Sequence, residues 1–384
     1  MTSHLDPGKR HDFVYLFDVI NGNPNGDPDA DNLPRFDPEN TFGLVTDVCL
    51  KRKVRNYVTM LHDKPIFIQS RNALNSLIAQ AFRDVDVEPP RIKLDNEELL
   101  DWFNSVSDVL KVFSVEGDNL SYGGESIKAN DIKKLLMDAL EDDASDDLKK
   151  KLQKVAKDLA AAAKGNKGIS PQKREEARRH MVQKYYDIRM FGAVLSTGLN
   201  AGQVRGPMQL TFAKSQSPIL PMDLTITRQA RTTVERMETG TTEIGRKAIV
   251  PYGLYRSQGY YSPYLADKER NGTGVTEKDL ELFWEALLNM FDHDRSAARG
   301  EMACRGLYIF SHDNPKGNAA AHKLFEMIKV SEKNAETPPR QFLDYRVTLP
   351  EGITLAKGVT LSENVALMPD LSPPPGVTLT VLEG

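Results

Sequence analysis

Phe13-Val14-Tyr15-Leu16-Phe17 is an unbroken apolar and aromatic run, and its length and composition predict a buried β-strand. A loop rich in Asn, Gly, Pro and Asp follows from Asn21 to Asn40, each residue type favouring turns for its own reason. Leu50, Val54, Tyr57, Val58 and Leu61 then recur at helical spacing, with Thr46 and Asp47 placed to cap the helix start. The opposite face of that helix carries Lys51, Arg52 and Arg55.

Further along, Asn96–Phe103 opens a helical pattern, and Ile132, Leu135, Leu136 and Leu140 mark another. The acidic cluster Glu141–Asp147 precedes Lys149–Lys151, and acid first with base last along a helix complements its dipole. A helix is predicted through Arg178, Met181, Tyr185 and Tyr186, then strands at Met190–Leu195 and Pro207–Phe212 with a glycine-rich loop, Ser196–Gly202, between them. A helix at 276–290, a strand at Leu307–Phe310, a helix around 319–330 and a late strand at Val377–Val381 complete the pattern. Strands alternating with helices at these spacings fit an α+β fold, a ferredoxin-like (RNA-recognition-motif-like) core interrupted by insertions. The segments expected are 1–83, the first part of the core with the basic helix; 84–180, a helical insertion lobe; 181–337, the second part of the core; and 338–384, a Pro-rich C-terminal segment.

Composition narrows the class. An apolar share of 40% and a charged share of 27% over 384 residues fit a globular protein. No apolar run approaches the roughly 20 residues needed to span a bilayer, and the N-terminus has no apolar signal core, so the expected location is cytoplasmic, away from membranes. Cys49 and Cys304 lie far apart without metal-ligand spacing, which leaves neither a disulfide framework nor a zinc site to expect. The net charge of −4 argues against a surface coated in nucleic acid. Its distribution says more: Lys and Arg outnumber Asp and Glu over 181–260, whereas the acids lead over 84–180. That is the pattern of a local basic groove.

The cationic face Lys51, Arg52 and Arg55 is either a solvated helix surface or a phosphate track, and residue types alone do not choose between them. Gln203 and Arg205 sit between Gly202 and Gly206, where backbone can approach a ligand closely or simply turn tightly. Residues 223–250 carry Arg228, Arg231, Arg236, Arg246 and Lys247 among threonines and glycines, a composition that suits an extended, protruding β-hairpin. Tyr252, Tyr255, Tyr260, Tyr261 and Tyr264 form either a stacking platform or the half-buried closure of a sheet. Other signals fail. Asp27, Asp29 and Asp31 alternate like a calcium loop, but Asn32 and Pro38 stand where Gly and Glu are required. Gly240–Lys247 lacks the residues of a phosphate loop, and the His293 and His312 neighbourhoods read as turns. No cofactor, metal or catalytic residue is expected.

Three long blocks carry a resemblance: NGNPNGDPDADNLPR with GLVTDVCLKRKVRNYV; YYDIRMFGAVLSTGLNAGQVRGPMQLTFAKS at 185–215; and LTITR with GRKAIVPYGLYRSQGYYSP at 245–263. In this order they resemble the RNA-binding backbone subunit of type I CRISPR surveillance complexes (Cascade), the I-C branch in particular. The resemblance implies a non-catalytic protein that polymerises along a guide RNA (crRNA), with backbone phosphates held by Arg35, Thr46, Lys51, Arg52, Arg55, Gln203 and Arg205. It implies that the 223–250 hairpin is a thumb whose arginines clamp the RNA and whose apolar tip, Met237, displaces one base. The implied partners are crRNA, target DNA, neighbouring copies of the chain, and the guide 5′-handle, large and small subunits. Related subunits of type III complexes cut RNA with a loop aspartate, for which Asp18, Asp27 and Asp37 are the comparable positions. A metal-dependent endoribonuclease and a monomeric single-strand RNA-binding module are the alternatives.

Overall fold

A computed structural model describes residues 2–70, 72–106, 110, 112–141, 144–163, 169–196, 199–228 and 243–384, without the side chains of Arg228 and Glu243. The chain forms two compact units, one from Met1–Asp63 with Pro207–Gly384 and the other from Lys64–Gly206. Among the described residues no helix is long and apolar enough to cross a membrane.

The first unit is built on an antiparallel sheet around the strand that the apolar run predicts. That strand, β1 (His11–Gly22), lies between β6 (Glu243–Tyr261) and β7 (Glu301–His312). Outside β6 lie β3 (Met208–Leu210), β4 (Ala213–Pro218) and, paired to β4, β2 (Phe42–Val45). A further strand, β5 (Met222–Arg228), pairs with the first half of β6. Outside β7 lies β8 (Val377–Glu383), which pairs antiparallel with it. Helix α1 (Asp47–His62) connects β2 to the rest of the chain, and α2 (Glu277–His293) connects β6 to β7.

β1 is apolar without alternation because both its faces are covered. Its odd residues meet α2: Phe13 packs edge-on to Trp284 at 5.0 Å, Phe17 lies 5.4 Å from Phe291, and the Tyr15 hydroxyl donates to the Leu287 carbonyl at 2.7 Å. Gly259, opposite Phe13, is glycine for want of space, since a Cβ there would fall 1.9 Å from the Phe13 ring. The even residues Val14 and Leu16 join Tyr308, Phe310, Tyr345, Val347, Leu379 and Val381 in a second core. The Pro-rich segment therefore packs its own apolar residues onto the sheet and ends in β8. The helix expected around 319–330 is confined to Ala321–Phe325, after which Lys329–Glu332 forms a strand with Tyr345–Pro350.

His11, at the start of β1, is fully buried. Its Nε2 lies 2.9 Å from the Asp6 carbonyl, which can only accept, so Nε2 carries the proton and Nδ1 accepts from the Ser311 hydroxyl at 3.0 Å. Burial lowers its pKa from 6.5 to about 4. The folded ring stays neutral where the unfolded one protonates, so this site's stability is complete above pH 6.5 and is lost as pH falls toward about 4. The loss expected over that window is about 3 kcal/mol. Urea midpoints measured from pH 7 to the acid end of the window check this, and His11→Gln should flatten the dependence.

Among the described residues of the second unit two cores stand out. One joins Phe67, Ile78, Phe82, Met181, Ile188 and Val204, with helices Leu74–Asp84 and Pro171–Lys184 side by side. The other gathers Leu99, Phe103, Leu120, Ile132, Leu136 and Leu159 from three helices and a small sheet of Arg91–Lys93, Phe113–Glu116 and Asn119–Tyr122. The strand expected at Met190–Leu195 is instead the end of a helix, Tyr186–Phe191, followed by a three-residue strand, Gly192–Val194. Asp187 fixes the change. Its carboxylate is buried and accepts from the backbone N–H groups of Phe67 at 2.7 Å, Ile68 at 3.0 Å and Ile188 at 3.1 Å.

Candidate nucleic-acid interface

The start of α1 is built as the sequence predicts. The Thr46 hydroxyl accepts from the Cys49 N–H at 3.2 Å, and Asn25 in the turn-rich loop accepts from both the Thr46 N–H and its hydroxyl at 2.9 and 3.0 Å. Thr46 is thus committed to the cap and to holding the loop against the helix end. Arg35, in the same loop, lies 3.4 Å from Asp27 and is tied through its backbone to Asn25 and Leu44. The positive end of the α1 dipole and Arg35 therefore sit on the same loop–helix junction.

The cationic face of α1 differs from expectation. Lys51 and Arg52 are partly exposed, with Lys51 Nζ 2.9 Å from Asp47 and 3.2 Å from Gln209. Arg55, expected on the same outward face, is buried at 7% exposure, whereas Leu61, expected inside, is 42% exposed. A cation absent from the sequence reading, Lys53, is also buried, and its Nζ lies 2.6 Å from Asp294 just past α2. Asp294 also pairs with Arg299 and accepts a weak contact from Asn56 at 3.5 Å. Asp294 is thus a partly buried link between α1 and the end of α2.

Gln203 and Arg205 belong to the other unit. They lie on a short strand, Gln203–Arg205, paired with Gly192–Val194, and both are exposed while Val204 between them is buried. The period of two sends both side chains to one face, as a shared ligand contact requires. The flanking glycines have structural reasons of their own. Gly202 has φ +88°, and a Cβ on Gly206 would fall 2.1 Å from the Phe191 backbone.

The hairpin arms are present in register: Met222 faces Ile249, Leu224 faces Lys247, Thr225 faces Arg246 and Arg228 faces Glu243. Arg246 and Lys247 leave opposite faces of this ribbon, and Arg246 lies 3.3 Å from Asp223. Met222, Leu224 and Ile226 line the Lys247 face and are all exposed. Arg231, Arg236 and Met237, expected at the tip, lie outside the described residues. Of the tyrosines that follow, Tyr252, Tyr255 and Tyr261 are buried and close the sheet.

The aspartates comparable to a cleaving residue are each engaged. Asp18 is buried within β1, its carboxylate 2.8 Å from Arg305 Nε; burial raises its pKa and Arg305 opposes the rise. Asp27 caps the turn Pro28–Ala30, and Asp37 accepts from the Glu39 N–H and the Asn40 amide. Among the described residues no three His, Cys, Asp or Glu side chains come together as metal ligands would.

The chain is similar to known proteins of one kind. CRISPR-associated protein Cas7 of Haloferax volcanii is 45% identical over 47 residues, which are 12% of this chain and 14% of that relative's length. Among solved structures, a chain of a CRISPR RNA-guided surveillance complex, pre-nicking, aligns with a TM-score of 0.42 at 16% identity over 78% of each chain. A chain of another CRISPR RNA-guided surveillance complex aligns with a TM-score of 0.40 at 14% identity, over 94% of this chain and 96% of that one. The family model for CRISPR-associated protein Cas7 matches residues 9–350, a stretch that takes in α1, the Gln203–Arg205 strand and the hairpin. The chain belongs to the Cas7 family.

Proposed function

We propose that this protein is a non-catalytic crRNA-binding backbone subunit of a type I-C-like surveillance complex. The observation that carries the reading is the family match over residues 9–350, which includes every position named for RNA contact. The core is read as ferredoxin-like, because β1, α1, β4, β6, α2 and β7 follow a β-α-β-β-α-β order with β1 between β6 and β7. Copies join head to tail along one guide. Such contacts are heterologous and give an open helical filament whose length the RNA limits.

In this reading Lys51, Arg52 and Arg35 hold phosphates at the α1 end, with Gln203 and Arg205 adding a second contact. Thr46 and the buried Arg55 act through the helix that they stabilise. The hairpin cations Arg228, Arg231, Arg236, Arg246 and Lys247 clamp the RNA, and Met237 is the wedge; unstacking a base costs a few kcal/mol, which phosphate contacts offset. The guide's bases then remain free to pair with target DNA, so base pairing reads sequence while the protein reads backbone. The guide 5′-handle, large and small subunits would cap and flank the filament in the cytoplasm.

Purification without nuclease, with absorbance at 260 and 280 nm, light scattering and sequencing of bound RNA, tests the reading. Large particles holding RNA protected in regular increments are expected. An RNA-free monomer, even when co-expressed with a guide and partner subunits, would overturn it. Affinity should also fall with salt, with a log–log slope of about −0.7 per phosphate neutralised. Arg205→Gln should make that slope shallower by roughly this amount in a filter-binding titration.

A further inference from the structure

We propose a stacking site for unpaired nucleobases on the sheet of the first unit, centred on Phe212. The evidence begins with a break in register. Leu210 pairs with Gly259 and Lys214 with Arg256, so residues 211–213 stand opposite only 257 and 258. One extra residue on the β3–β4 side is a bulge, and bulges re-aim side chains. Thr211 anchors it: its N–H donates to the Gln258 carbonyl at 2.8 Å, and its hydroxyl accepts from the Gln258 N–H at 3.0 Å. Phe212 is left 54% exposed beside a shallow pocket.

The surroundings suit a base better than another protein. Lys214, Gln216, Arg256, Gln258 and Phe42 line the same pocket. Lys214 Nζ sits 4.8 Å above the Phe42 ring and 4.0 Å from Asp37, so its charge is held at the rim. Arg256 donates to the Phe325 carbonyl at 2.6 Å and the Ile328 carbonyl at 2.7 Å, which fixes its charge in place. Gln216 and Gln258 offer amides that both donate and accept. An exposed aromatic face with fixed cations and amides matches one unpaired base and its neighbouring phosphate. Protein interface cores are depleted in Lys, a free phosphate gains nothing from a phenyl ring, and a duplex keeps its base faces stacked on one another. The site uses none of the residues named above for the crRNA track, so it stands or falls separately from that reading.

The test uses the full chain with Phe212→Trp as a reporter and Phe212→Ala and Phe212→Tyr as perturbations. The probes are single-stranded RNA and DNA oligomers of about six nucleotides, within the range of a single stacking module, and a blunt duplex of the same length. Added tryptophan emission of the Phe212→Trp chain should be quenched by the single strands and not by the duplex. Phe212→Ala should weaken their binding about tenfold, and Phe212→Tyr should restore it. Quenching by either single strand supports the site, and the strand effective at lower concentration identifies its source. Equal affinity for wild type and Phe212→Ala would overturn the proposal. So would a tryptophan signal that changes only with protein concentration, because that result would assign the face to a protein contact. The tryptophan at position 212 reports on its own surroundings, so failure of filament assembly alone would leave its quenching unchanged.

Discussion

A chain carrying Lys51→Gln together with Arg52→Gln should lose RNA-dependent assembly while keeping its fold. Both side chains are partly exposed on α1, and the helix continues to be capped by Thr46 and held by Asn25. Glutamine retains a donor for Asp47, and the partly covered i,i+4 pair Lys51–Asp47 is worth at most about 1 kcal/mol, so the thermal midpoint should fall by only a few degrees. Each charge-assisted bond to a phosphate is worth about 1.5–3 kcal/mol, so losing both should weaken single-copy binding by about a hundredfold or more. The loss compounds along a filament, because every copy contributes the same contacts to one RNA. Light scattering of the variant with guide RNA should therefore show monomers where the wild type shows large particles. Arg55 is left untouched because it is buried, and its replacement would confuse lost binding with lost folding. Particles of normal size from the double variant would remove α1 from the interface.

Asp294→Ala should destabilise the first unit by about 3–5 kcal/mol, because it leaves the buried ammonium of Lys53 without its partner. The loss arises from the stranded charge more than from the pair itself, which sits where desolvation offsets much of its attraction. Lys53→Met on the Asp294→Ala background should therefore recover a large part of the stability, since an apolar side chain of similar length needs no partner. Urea denaturation of the two single variants and the double variant measures this coupling directly. Additive losses would mean that Lys53 is stabilised by something other than Asp294.

The parts of the fold legible in the sequence were those decided locally. The Phe13–Phe17 run, the Thr46 cap, the 276–290 helix and the Val377–Val381 strand each follow from residue pattern alone, and each is found in the structure. What escaped was decided by distant partners. Met190–Leu195 is apolar enough for a strand, yet Asp187 binds the backbone of Phe67 and Ile68 and holds the segment as a helix end, with Gly192 turning the chain at φ +79°. The charge on Arg55 places it on the outer face of α1, and nothing near Lys53 in sequence points to Asp294. The candidate site divides in the same way. The residue types at Lys51, Arg52, Gln203 and Arg205 were legible, whereas Phe212 owes its exposure to a bulge visible only once β3, β4 and β6 are paired.

The place of β1 also sets an order of events during synthesis. It leaves the ribosome before its sheet neighbours β6 and β7, which begin only at Glu243 and Glu301. At about 5–20 residues per second the wait is on the order of 10–50 s. Residues 64–206 emerge whole within that interval and contain their own cores. This largely apolar strand thus spends that interval with both hydrogen-bonding edges open, a state that invites pairing with another chain. Expression at lower temperature, or with a chaperone that shields nascent strands, should act on this interval rather than on the finished molecule.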